Sequence, residues 1–149
     1  MNFLQKIYKK SKEQKGFTLV EMIVVLVIIA ILAAITIPAL LKYIDKARDK
    51  QIVIDARTAY LAAETAVSEA YAANETITDN KFTFTNSDTS SSTSYIKNAS
   101  ELTGISKGYS CEVTVNNYKI TKIAFKDTGS GKTASMDLTS TTGGAWSVN

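Results

Sequence analysis

Twenty consecutive residues, Met22–Leu41 (MIVVLVIIAILAAITIPALL), carry no charge and are apolar apart from Thr36 and Pro38. Coiled into an α-helix, this run extends about 30 Å, the thickness of a bilayer's hydrocarbon core. The whole chain has 149 residues, about one domain's worth. A globular remainder of roughly 75 to 100 residues is too small to surround such a helix as its core. The run therefore predicts a membrane-spanning segment. A secretory signal fits less well, because its apolar region is shorter, roughly 7–15 residues, and ends at a small-x-small site. Ile35–Leu41 offers no such boundary.

Charge gives the segment a direction. Residues 1–16 hold Lys6, Lys9, Lys10, Lys12 and Lys15 against Glu13, a net of +4, while the remainder balances 12 basic against 13 acidic side chains. A basic flank is retained in the cytoplasm, which places the C-terminal part outside. The formal net charge of +3 thus belongs to the leader. The main body shows no basic patch interleaved with aromatics, so nucleic-acid binding has no support. Histidine is absent and Cys111 is the one cysteine. That rules out an internal disulfide, a Cys–His pair and a His-ligated metal within one chain. We expect no enzyme activity, no catalytic residues, no cofactor and no metal.

Glu21 stands one residue before the unbroken run, inside an apolar stretch that begins at Phe17. A carboxylate there can simply reach the interface, or it needs a partner charge, since an ionised group in hydrocarbon is costly alone. At this point Lys15-Gly16-Phe17-Thr18-Leu19-Val20-Glu21 resembles the processing site of type IV prepilins and related pseudopilins. The resemblance covers roughly residues 10–60. It implies cleavage between Gly16 and Phe17 by a dedicated membrane peptidase, followed by N-methylation of Phe17. Gly16 lets a protease approach its carbonyl closely. Glu21 would accept a charge-assisted hydrogen bond from the amine of a neighbouring subunit, penalising any register that leaves either charge unpaired. Pro38 sits where pilins commonly carry a helix-kinking proline.

The helical pattern continues beyond the apolar run. Val53, Ala56, Tyr60, Ala63, Val67 and Ala70 recur at spacings of three and four, an apolar stripe. A helix from Phe17 through Ala73 is expected, bent at Pro38 and ending near Asn74. The mixed charges from Asp45 to Arg57 fit either a solvated face or pairing between subunits. Farther on, Tyr109, Cys111, Val113 and Val115 alternate with polar residues, as in a half-buried strand. Asn116-Asn117 suits a hairpin turn. A second strand, Tyr118–Lys126, changes phase midway, which predicts a bulge. Ala134, Met136 and Leu138 make a third strand, with Ala145–Val148 at the edge. Phe82 and Phe84 suggest a short strand, Asn86–Ser94 a polar loop and Asn98–Ile105 a short helix. Cys111 and Trp146 read as packed side chains. Asp127 with Gly129 and Gly131 reads as an ordinary loop rather than a calcium site.

The expected fold is α+β: a long N-terminal helix whose apolar half protrudes and whose second half packs on a small antiparallel sheet. Its divisions are a leader 1–16, an apolar helix half 17–41, an amphipathic half 42–75 and a globular head 76–149. The resemblance implies a structural subunit of a type IV pilus. Its partners would be other copies of itself, minor pilins, the prepilin peptidase, the assembly platform with its ATPase and, before assembly, the cytoplasmic membrane. A pseudopilin of a secretion or DNA-uptake system shares these features, and a signal-anchored extracellular module is the third reading. Unlike many pilins, this chain cannot pin its C-terminal loop with a disulfide.

Overall fold

The computed structural model describes residues 16–77, 80–86, 93–140 and 144–149. Leader residues 1–15 and most of the Asn86–Ser94 loop lie outside them. Helix α1 spans Leu19–Ala72, and the chain divides into two compact units, the first ending at Ile44 and the second running Asp45–Asn149.

In the first unit the helix is apolar on every side and none of its most hydrophobic stretch is buried. Such a surface requires lipid or protein around it. The hydroxyl of Thr36 donates to the Leu32 carbonyl at 2.9 Å, so the one hydroxyl in the run satisfies itself within the helix. Pro38 lies inside the helix and supplies no N–H to the turn before it.

The second unit holds the core. Strands β1 (Lys81–Thr85), β2 (Tyr109–Asn116), β3 (Lys119–Asp127), β4 (Thr133–Asp137) and β5 (Ser147–Val148) form one antiparallel sheet in sequence order, and α2 (Ser94–Thr103) intervenes between β1 and β2. From α1, Ile52, Ala56, Ala59, Ala63, Ala66, Val67 and Ala70 share a core cluster with Phe82, Phe84, Tyr109, Cys111, Val113, Ile123, Phe125 and Met136 of the sheet. Small side chains on the helix thus share one core with large ones on the sheet, and a core of this kind is close-packed. Ala63→Leu should therefore destabilise by about 1–3 kcal/mol through overpacking. Leu61→Ala, at an exposed position, should change stability by no more than about 0.5 kcal/mol. Urea unfolding of the two variants checks the contrast.

The buried stripe is centred slightly differently from the sequence expectation. Ala56, Ala63, Val67 and Ala70 are buried, whereas Val53 and Tyr60 lie half-buried at its margins, and Ile52, Ala59 and Ala66 complete the face. The helix stops as a Schellman motif: Asn74 takes φ 57°, its N–H bonds the Tyr71 carbonyl and that of Glu75 bonds the Ala70 carbonyl. Asparagine tolerates that left-handed position, which is why the polar stop at Asn74 was legible.

The β2–β3 hairpin turns at Asn117 and Tyr118, with φ of 50° and 57°, while Asn116 still pairs with Lys119. This is one residue later than expected, and Tyr118 is not a strand residue. Two left-handed residues make the type I′ turn that matches strand twist. Tyr118 holds this uncommon geometry through tertiary contacts: its ring meets Tyr71 edge-on at 5.2 Å and its hydroxyl donates to the Glu75 carbonyl at 3.1 Å.

The expected bulge is present at Thr121. Thr114 pairs with Lys122 and Val115 with Ile120, leaving Thr121 extra. Its hydroxyl donates to the Thr114 carbonyl and its own carbonyl accepts from Leu138 N–H. Leu138 lies past the end of β4 and is exposed, contrary to its expected place on the apolar face. Helix α2 begins at Ser94 and ends at Gly104 (φ 59°), earlier than the expected Asn98–Ile105. Tyr95 fixes it by setting its ring edge-on to Phe82 at 5.6 Å. Trp146 is half-buried against the core. Cys111 is wholly buried, and burial pushes its thiol pKa upward, as expected of a small core hydrophobe.

Candidate functional site

Gly16, Phe17 and Glu21, three of the four residues singled out by sequence, lie at the start of α1. Gly16, Phe17 and Thr18 are non-helical and exposed, and the helix begins at Leu19, two residues later than expected. Thr18 ends the extended stretch because it caps the helix. Its hydroxyl accepts from Glu21 N–H at 3.2 Å and donates to Glu21 Oε2 at 2.9 Å. Glu21 Oε2 also accepts the Thr18 backbone N–H at 2.9 Å. This reciprocal arrangement is a capping box, which satisfies helix N–H groups that otherwise have no partner. The Thr-x-x-Glu spacing announces it in the sequence, although the apolar setting drew attention to the charge of Glu21 instead.

The carboxylate is thus doubly bonded through one oxygen to its own chain, while Oε1 takes no part in these contacts. Phe17 presents a large exposed ring. Among the described residues, no atom beyond Gly16 and its chain neighbours lies within 4 Å of where a Cβ on Gly16 would stand, and Gly16 is not among the glycines of positive φ. Nothing in the fold therefore demands glycine there. Pro38 lies 17 residues beyond Glu21 on the same helix and makes no contact with it.

A known sequence motif matches this same region. A family profile described as the prokaryotic N-terminal methylation motif matches residues 11–37. Fimbrial protein Q of Moraxella bovis is 43% identical over 56 residues, covering 38% of this chain and 36% of that protein. A fimbrial protein of Pseudomonas aeruginosa is 43% identical over 58 residues, 39% of this chain and 38% of its own length. The type IV major fimbrial protein FimA of Dichelobacter nodosus is 40% identical over 62 residues, covering 42% and 40% respectively. The chain therefore matches well under half the length of these curated relatives. No solved structure matches it. The matched motif takes in the Thr18–Glu21 cap and the start of the exposed apolar helix, and over part of its length the chain is similar to type IV fimbrial proteins.

Proposed function

We propose that this chain is a structural subunit of a type IV pilus, cleaved between Gly16 and Phe17, N-methylated at Phe17 and assembled into a helical filament through its N-terminal helix. The observation that carries the reading is an uncovered apolar helix whose beginning lies within a match to a methylation motif. Such a surface has two apolar homes, lipid before assembly and the helices of other subunits afterwards, so transfer between them leaves little of it in water. The basic leader holds the N-terminus in the cytoplasm, with the sheet outside the cytoplasmic membrane and later on the cell surface.

Gly16 serves the peptidase. Its open surroundings and ordinary backbone are consistent with selection by an enzyme rather than by folding. After cleavage the amine of Phe17 remains positive when methylated, and the carboxylate of Glu21 on a neighbouring subunit accepts it. Pro38 adapts the helix within the packed bundle. Minor pilins and an assembly platform driven by a cytoplasmic ATPase would complete the machine, and this chain is its building block rather than a catalyst.

Intact-mass and N-terminal analysis of protein from sheared surface material of the native cells tests the reading. The expected chain begins at Phe17 and carries one added methyl group. A chain beginning at Met1 and confined to membranes overturns it.

A further inference from the structure

We propose that the groove between α1 and the β2–β3 turn binds the guanidinium of an arginine side chain presented by a peptide. The groove has a volume of about 730 Å³ and is lined by Tyr60, Glu64, Val67, Tyr118, Lys119 and Ile120 among others. Small-ligand sites of this size combine apolar and aromatic walls with a few polar groups. The proposal concerns the second unit alone and goes beyond the filament reading, since a dispersed subunit carries the whole groove.

Both tyrosines are held in place by their own hydrogen bonds. Tyr118 occupies the left-handed turn position at φ 57°, which asparagine or glycine takes with less strain. What tyrosine adds there is a ring, set edge-on to Tyr71 at 5.2 Å, and a hydroxyl that donates to the Glu75 carbonyl. The Tyr60 hydroxyl donates to Glu64 Oε1. Burial and the adjacent carboxylate push this phenol up to about 12, so it stays a neutral donor. Each ring is half-buried, leaving part of its surface to a ligand.

The other hydroxyls of the groove are also engaged as donors. Thr65 Oγ1 donates to the Leu61 carbonyl at 3.1 Å and Ser68 Oγ to the Glu64 carbonyl at 2.9 Å. The oxygens of Tyr60, Tyr118, Thr65 and Ser68 are left as acceptors, together with the carboxylate of Glu64. Glu64 forms no ion pair among the described residues. Acceptors and electron-rich rings together call for a cation that donates hydrogen bonds. Guanidinium meets both demands, because it stacks on aromatic faces and offers forked N–H groups to oxygen. A quaternary ammonium would meet the rings but leave the oxygens unpaired. The groove follows α1 from Tyr60 to Ser68, about 12 Å of helix axis, which is longer than one guanidinium. The excess, with Leu61, Val67 and Ile120 in its lining, suits the methylene stem and the chain that carries it. Lys119 is exposed and likewise forms no ion pair among the described residues, so it should compete with such a ligand for Glu64.

The test is a titration of the full chain in a neutral detergent, followed by the amide resonances of Tyr60, Glu64 and Tyr118. N-acetyl-argininamide presents the side chain between uncharged ends, as a peptide does, and should give saturable shifts. Glu64→Gln keeps an acceptor for the Tyr60 hydroxyl but removes the charge, and should weaken binding about tenfold. Lys119→Ala should leave binding unchanged or tighten it. Choline should bind at least about tenfold more weakly than N-acetyl-argininamide. Absence of saturable shifts, or equal binding of choline, overturns the inference. Tighter binding of free arginine that is lost in Lys119→Ala also overturns it, since the groove would then be a zwitterion site. Shifts of the same amides on concentrating the chain alone would assign the groove to another copy and overturn it too. None of these outcomes bears on cleavage or filament formation, so the pilus reading stands or falls separately.

Discussion

Phe125→Ala should cost about 3–5 kcal/mol of unfolding free energy. A domain near this size holds only about 5–15 kcal/mol in total, so most of its margin would go. Phe125 is 1% exposed on β3, the middle strand of the sheet. It is cross-strand partner to Cys111 on β2 and Ala134 on β4, and its ring stacks on Tyr109 at 5.3 Å. Truncation removes this stacking and leaves a cavity in a core whose helix side is mostly alanine, a side chain with no flexibility with which to fill it. Urea unfolding followed by Trp146 fluorescence reads the loss, since that indole rests half-buried on the same core. Phe17→Ala removes a ring of equal size from an exposed position and should leave the midpoint unmoved. A Phe125→Ala loss below about 1 kcal/mol would mean that the core relaxes far more than its geometry suggests.

The parts of the fold that the sequence announced are those governed by local chemistry. The apolar run, the alternation through β2 and the phase change at Thr121 each depend on a repeating side-chain pattern that survives tertiary packing. Asn74 was legible because its residue type suits the left-handed conformation that ends the helix. The errors arose where distant contacts decided. Asn116-Asn117 looked like the better turn pair, but Tyr118 takes the second left-handed position because Tyr71 and the Glu75 carbonyl hold it there. Helix α2 starts four residues early because Tyr95 needs Phe82, 13 positions away in sequence. Leu138 continued an alternation, yet the strand had already ended, since its N–H turns to the carbonyl of the bulged Thr121. At the candidate site the sequence offers Gly16, Phe17 and Glu21, which the structure places at the start of α1. The capping role of Thr18 was encoded just as openly, and it changes what a substitution at Glu21 means.

Glu21 has two separable duties under the proposed function, and three variants distinguish them. Glu21→Gln keeps an oxygen that can accept the Thr18 N–H but removes the charge. Thr18→Val removes the hydroxyl that accepts from Glu21 N–H but leaves the carboxylate. Glu21→Ala removes both. Loss of a cap costs about 1 kcal/mol of helix stability, which frays the first turn without releasing a long apolar helix from its surroundings. Leaving a buried amine without its counter-charge costs about 3–5 kcal/mol, equivalent to a hundredfold or more in an equilibrium at about 1.4 kcal/mol per decade. Sheared filament yield should therefore fall below about one-hundredth of wild type for both Glu21→Gln and Glu21→Ala. Thr18→Val should lose no more than about tenfold, and cleavage after Gly16 should proceed in all three. The reverse pattern, with Glu21→Gln assembling and Thr18→Val failing, would assign the carboxylate to starting the helix and dismiss its pairing with a neighbour's amine.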